Sequence, residues 1–347
     1  MSHPTSSLRE SAVAPGSAST EDLDLLRLPF DQYQRYRTAA DLLGHLAGPA
    51  VRVLEVGGAP GPIERFLPEA DVFIIDRYGE HTGRYAIADG ARLPFADQTF
   101  DAVIALDTLE HVPAKDRPAF LAEARRVSKD LVILSAPFAD TDVVLAEDAL
   151  HEFIKQRFGG DFATLQEHRD HGLPVLAATL DAMAFEGWSA ASLPSGYLPR
   201  WLLGMVFHHE LLASGLSGLD DLHAYYNRTV SPLDCRAPAY RQIVLASRVR
   251  AVDELEAAAG KLVVDGSELA AKTALASIAS AVLAHRLAGN QEVERLREKL
   301  AARDAEVVSL ERIVADREAH LVELRAQIER LMEYLEARSS KSFLKRS

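Results

Sequence analysis

Apolar positions along this chain follow two rhythms, and the places where they change are well marked. From Asp31 to Leu46, the residues Tyr33, Tyr36, Ala39, Ala40, Leu43 and Leu46 recur at helical spacing and predict an amphipathic helix. Compact apolar runs follow at Val51–Val56, Val72–Ile75, Ala102–Leu106 and Leu131–Leu134, each short enough to be a buried strand. Between the last two, Phe120, Leu121, Ala124 and Val127 share one helical face, with Pro118 near the helix start, where no amide donor is needed. Strands alternating with helices predict an α/β fold: a doubly wound, mostly parallel sheet covered on both faces.

Past Pro137 the rhythm loosens. Val175–Phe185 reads as a helix, Trp188–Leu193 as a strand and Tyr240–Ser247 as a last strand. Residues 138–172 and 195–238 interrupt this scheme and are longer than plain connections usually are, so they are expected to be helical insertions forming a lid or substrate wall. Residues 1–20, rich in Ser, Pro, Ala and Gly, read as a disordered arm, and 21–250 as one domain. An Ala-rich helical connector is expected over 251–288, broken near Gly260 and Gly266.

Residues 289–338 carry the most regular pattern. Val293, Leu300, Val307, Val314, Leu321, Ile328 and Leu335 occupy every a position of a heptad repeat. The d series runs Leu296, Arg303, Leu310, Arg317, Leu324, Leu331 and Arg338. This predicts a long coiled-coil helix. Valine or isoleucine at several a positions with leucine at d favours two parallel strands, hence a homodimer. The arginines at d would weaken the seam and fix its register. Residues 339–347, with Lys341, Lys345 and Arg346, read as a solvated basic tail.

Composition narrows the classes. With 347 residues, 48% apolar and 26% charged, the chain can bury a core without disulfides. Its 38 Lys and Arg against 51 Asp and Glu give −13, which disfavours a nucleic-acid partner. The single cysteine, Cys235, reads as a reduced small hydrophobe. No apolar run reaches the roughly 18–20 residues of a membrane span, and no basic-then-apolar leader opens the sequence. A cytoplasmic protein with at most peripheral membrane contact is the expectation.

The chemistry concentrates after the first strand, in Gly57-Gly58-Ala59-Pro60-Gly61. A dinucleotide fingerprint wants glycine at the first, third and sixth places; counted from Gly57, the third is Ala59 and the sixth Pro62, which fits poorly. Glu55, two residues before Gly57, points elsewhere. Glu55 through Gly61 resembles motif I of the class I S-adenosylmethionine-dependent methyltransferases, with Ala59 in place of the middle glycine. Asp76 ends the second strand where that family places the acid that binds the ribose hydroxyls. Ala88-Asp89-Gly90 resembles its segment beside adenine. Leu93-Pro94-Phe95, Phe100-Asp101, Leu109-Glu110-His111-Val112, Arg126-Val127 and Ser135-Ala136-Pro137 resemble the subgroup that includes quinone and small-molecule enzymes.

The resemblance implies a Rossmann-like sheet and S-adenosylmethionine as cofactor, bound by Glu55, Gly57, Gly58, Ala59, Gly61, Asp76, Asp89 and Gly90. Ionised carboxylates suit these roles, since ribose hydroxyls, an exocyclic amine and an ammonium are all donors. An alcohol acceptor must also lose a proton, which invites a base. Asp107 follows the fourth strand, His111 lies one turn on, and His168 sits in the charged run Glu167-His168-Arg169-Asp170-His171; these three are the catalytic candidates, ahead of His208 and His209. No spacing demands a metal ion. Tyr197, Trp201, Tyr225 and Tyr226 in the insertions suit stacking on sugars, so the expected reaction is O-methylation of a sugar, glycan or specialised-metabolite hydroxyl. Two alternatives stand beside it: C-methylation of a quinone-like ring, which needs an apolar pocket, and a coiled-coil scaffold carrying a degenerate domain.

Overall fold

The computed structural model describes residues 20–58, 61–79, 84–213 and 219–264, with 272, 303, 312, 315–320, 322–323 and 325. Seven strands form one sheet: β1 (Arg52–Val56), β2 (Asp71–Asp76), β3 (Tyr85–Ile87), β4 (Phe100–Leu106), β5 (Ser128–Pro137), β6 (Ser189–Tyr197) and β7 (Ala239–Ser247), in the order β3-β2-β1-β4-β5-β7-β6. β1 to β5 run parallel, and β7 is antiparallel to both of its neighbours. The short edge strand β3 lies outside the apolar runs of the sequence, because its three residues carry too little pattern to register. β6 closes the other edge, which is where Pro194, lacking an amide hydrogen, is tolerated.

Alternation within the strands sends side chains to two cores. Val53, Ala102, Ile104, Leu131, Ile133, Ile243 and Leu245 face α2 (Phe30–Leu46) and α10 (Val252–Gly260). Leu54, Val56, Val103, Val132, Leu134 and Val244 face α4 (Arg117–Val127) and α7 (Leu176–Met183). Every one of these strand residues is buried, so a leucine-to-alanine change here costs about 2–5 kcal/mol.

Both insertions fold as helices. The first gives α5 (Thr141–Phe158) and α6 (Ala163–His171); the second gives α8 (Leu198–Ala213) and α9 (Leu219–Thr229). Asp140 caps α5 by accepting from the Asp142 amide at 2.9 Å, and Gly159 ends it in the left-handed region at φ 78°. A third core of Phe30, Leu150, Ile154, Leu165, Trp201, Tyr226 and Tyr240 binds these helices to the sheet. Two shorter helices complete the described domain, Thr20–Leu26 and Ile63–Phe66.

Contacts divide the chain into units 1–285 and 286–347. Within the second, residues 315–320, 322–323 and 325 are helical and exposed. The heptad seam, the arm over 1–19 and the basic tail otherwise lie outside the described residues, as does most of the connector beyond Val264. Among the described residues no helix is long and apolar enough to cross a membrane.

Candidate active site

In the order β3-β2-β1-β4-β5, the chain reverses direction of travel between β1 and β4, and ligands of such sheets bind past the carboxyl ends at that point. Gly57 leaves β1 there with φ 79°, and its amide donates to the Ile75 carbonyl at 2.8 Å. A side chain on Gly57 would strike Thr108, whose hydroxyl donates to the Val56 carbonyl at 3.1 Å and so ties β4 to β1. A Cβ on Gly58 would enter the Glu55 carboxylate beneath it. Backbone therefore lies directly on that acid. Gly61 packs against the Tyr36 hydroxyl. Ala59, expected as a cofactor contact, lies outside the described residues.

Glu55 is fully buried, and neither carboxylate oxygen has a well-formed hydrogen bond, with the Tyr36 phenol its polar neighbour. Burial pushes its acid group up to about 8. An orphaned buried carboxylate under a glycine turn is what an incoming ammonium satisfies. Asp76 ends β2 half-buried, and one of its oxygens accepts from the Tyr78 amide at 3.2 Å. Asp89 is exposed; it accepts from the Ala91 amide at 3.0 Å and faces Arg77 at 3.7 Å. Gly90 packs against Phe120, where a Cβ would not fit. The expected cofactor residues that are described thus gather on the carboxyl edge of β1, β2 and β3. Their donor-poor acids match the donors of S-adenosylmethionine.

Beyond β4 and β5 lies a cavity of about 240 Å³ between the sheet edge and the lid helices. Its charged wall is a network around Asp107, which adopts φ 51° at the end of β4. Arg241 on β7 donates to it through Nε at 2.7 and 2.8 Å and Nη2 at 2.5 Å; Arg35 on α2 donates from Nη1 at 2.6 Å. Burial by itself would raise this acid, but the two guanidiniums override it and hold Asp107 well below the usual carboxylate range. A carboxylate so held takes up no proton near neutrality. Expected as a base, Asp107 is instead an anchor of the wall.

The other two candidates meet. His111 and His168 have ring centroids 4.8 Å apart. His168 is buried, with Nδ1 2.8 Å from Glu147 Oε1. That oxygen also accepts from the Tyr240 hydroxyl at 2.8 Å. His111 Nδ1 lies 2.7 Å from Glu167 Oε2. A carboxylate partner keeps the ring hydrogen on Nδ1 and leaves a lone pair on Nε2. Burial and the neighbouring His168 push the His111 imidazole below its ordinary range. Glu110, buried in the same wall, is pushed well above the carboxylate range by burial and by Asp107.

His208 and His209 lie outside this cavity: His208 Nδ1 meets His223 Nε2 at 3.1 Å, and His209 Nδ1 meets the Met205 carbonyl at 2.8 Å. Of the four aromatics expected to stack on a sugar, only Trp201 lines the cavity, packed flat on Tyr240 at 3.4 Å. Tyr226 instead donates to Asp234 at 2.7 Å, and Tyr197 lies beneath Arg200 and Arg236. Glu147, Tyr240, Arg241 and Arg35 were not singled out from sequence, and Glu110 only within the run Leu109-Glu110-His111-Val112. One signal was there: Arg241 is the one charged residue of its strand.

A methyltransferase-domain profile matches residues 75–136, from the end of β2 through β5. Two curated relatives, each described as an uncharacterized methyltransferase, are 30% identical over an alignment of 205 positions that covers 50% of this chain. One is from Mycobacterium avium (strain 104), with 78% of its length covered, and the other from Mycolicibacterium paratuberculosis (strain ATCC BAA-968 / K-10), with 77% covered. Among solved structures, a plantazolicin methyltransferase in complex with S-adenosylhomocysteine matches at 12% identity and TM-score 0.40, over 66% of this chain and 88% of that one. The magnesium protoporphyrin IX methyltransferase of Synechocystis PCC 6803 matches at 14% identity and TM-score 0.37, over 68% and 90%. The chain belongs to the class I S-adenosylmethionine-dependent methyltransferases. It is an enzyme, and S-adenosylmethionine is its cofactor.

Proposed function

We propose that this enzyme methylates a hydroxyl of a small polar acceptor, of the sugar, glycan or specialised-metabolite class, in the cavity past β4 and β5. The observation that carries the reading is the pair His111 and His168 in the cavity wall, each held through Nδ1 by a carboxylate. Imidazoles held in this way suit a hydroxyl acceptor, which must lose a proton; a carbon nucleophile on a ring has less need of them. The wall also carries Asp31, Arg35, Asp107, Glu110 and Arg241 among its apolar side chains, charged groups for which a quinone-like ring has little use. A volume below the roughly 300 Å³ of the smallest drug-sized pockets suits one ring or a terminal unit.

When bound, S-adenosylmethionine supplies an electrophilic methyl group on a sulfonium. Glu55 and the Gly57–Gly58 backbone would hold its amino-acid end, and Asp76 its ribose. Arg35 and Arg241 fix Asp107 in the acceptor wall. Thr108, the next residue, holds the end of β4 against the glycine turn, so the acceptor wall and the cofactor turn share one short segment. The helices of the two insertions partly cover the cavity, and shielding from water favours in-line transfer between bound partners.

The test is transfer of a labelled methyl group to a panel of monosaccharides, polyols, phenols and quinols. An ether product from a hydroxylated acceptor is expected. A product with a new carbon–carbon bond, or a panel in which no hydroxyl is methylated, overturns the reading.

A further inference from the structure

The two imidazoles are not alone. Glu110 Oε, His111 and His168 bring one ligand atom each to within 4.8 Å of the others. Glu110 is 1% exposed and His168 4%, yet Glu110 Oε2 and His168 Nε2 have no hydrogen-bond partner. Leaving such groups buried and unsatisfied is costly. Something that accepts lone pairs from all three would remove that cost.

We infer that Glu110, His111 and His168 bind a divalent transition-metal ion of the zinc type, with its open coordination positions facing the cavity. Three features argue for a cation in preference to a bare cluster. Both imidazoles have the carboxylate–histidine arrangement that orients metal-ligating histidines, through Glu147 and Glu167. Tyr240 in turn fixes Glu147 by donating to the same oxygen.

The backbone that carries the ligands is also clamped. Arg117 donates to the Leu109 carbonyl at 3.2 Å, the Val112 carbonyl at 3.0 Å and the His171 carbonyl at 3.4 Å, joining the turn that holds Glu110 and His111 to the end of α6. Two nitrogens and one oxygen select a zinc-like ion over magnesium or calcium, which want oxygen alone. Three protein ligands are the number found in catalytic zinc sites, where a fourth position stays open. At bond lengths of roughly 2.1 Å, ligand atoms around a tetrahedral ion stand about 3.4 Å apart, so occupancy draws this set, now within 4.8 Å, inward by up to about 1.4 Å.

Binding of the ion follows from these residues alone. With both imidazole lone pairs on the ion, the ion takes their place: its open position holds the acceptor oxygen and eases loss of its proton, a role that rests on the reading of the cavity as a hydroxyl site. The experiment separates the two. Full-length protein is stripped with a chelator and titrated with zinc chloride by calorimetry, then with cobalt(II), whose visible absorption reports mixed nitrogen and oxygen ligation.

One ion per chain is expected. Glu110→Gln and His168→Gln abolish stoichiometric binding, and Glu147→Gln, which touches no ion, weakens it roughly 10- to 100-fold. His45→Ala, at an exposed histidine of α2, leaves it unchanged. S-adenosylmethionine binding measured on each variant verifies that it is folded. Zinc that binds equally to wild type and His168→Gln, or that fails to bind a wild type still competent for S-adenosylmethionine, overturns the site. One-to-one zinc binding lost in these variants supports it, even if no hydroxyl is ever methylated; that second result would overturn the acceptor reading alone.

Discussion

Arg241 grips Asp107 through Nε and Nη2 at 2.5–2.8 Å, joining the antiparallel strand β7 to the end of β4. Arg241 is 2% exposed, and its Nη2 also reaches Asp31 at 2.7 Å. A buried pair of this kind is held in place by the penalty for breaking it. Arg241→Met should destabilise the protein by about 3–5 kcal/mol, read from the urea midpoint at constant slope. Because Asp107 is depressed in the folded chain, its contribution is present above the unfolded value of roughly 3.9 and fades as pH falls below it. Asp107→Asn should flatten that acid limb; an unchanged limb would show that the pair is not what acid breaks.

Glu55 has the opposite sign. Its acid group is raised to about 8, so the folded chain keeps a proton that the unfolded chain releases near pH 4.3. Stability contributed through Glu55 therefore declines as pH rises from about 4.3 to about 8. An ammonium prefers the ionised form, so S-adenosylmethionine affinity should climb with pH up to about 8, by at most roughly tenfold per pH unit. Calorimetry between pH 6 and 7.5, below the range of roughly 7.7–8.0 where the cofactor's own α-ammonium titrates, should show this slope in wild type and none in Glu55→Gln.

Asp76→Ala tests the ribose end. Hydrogen bonds to a charged group contribute about 1.5–3 kcal/mol each, so losing two should weaken S-adenosylmethionine by about 100-fold or more. Asp89→Asn, at an exposed acid, should cost less than tenfold. Equal effects of the two would remove Asp76 from its assigned place.

Gly58→Ala probes the turn. Its methyl group must displace the Glu55 carboxylate, and overpacking of this kind costs about 1–3 kcal/mol. Cofactor affinity and thermal midpoint should both fall. A variant that binds as wild type does would mean that the backbone does not need to lie on the acid.

The heptads make a separate prediction from sequence. Leu310→Asp with Leu324→Asp should convert a dimer into a monomer in sedimentation of the full chain while S-adenosylmethionine binding persists. A wild type that sediments as a monomer would remove the coiled-coil dimer.

The strands were legible because apolar runs of buried parallel strands are contiguous: β2, β4, β5 and β7 each contain their expected run, and β1 holds all of its own but Val51. The glycine turn and Asp76 were legible because motif and strand end lie together in sequence. The acceptor wall was not. Glu147 and His168 stand 21 residues apart on different helices, and Asp107 and Arg241 stand 134 apart on strands joined only in the sheet. Asp107 illustrates the difference: position after a strand marks an acid near chemistry, whereas the two guanidiniums that remove its basicity come from α2 and β7. Neither arginine has a local reason to be there.

Asp31 Oδ1 accepts from Trp201 at 2.8 Å and from Arg241 at 2.7 Å. A single oxygen atom therefore ties α8 to the guanidinium that steadies Asp107, so a substitution at Trp201 would be felt, through Asp31, on the far side of the chamber.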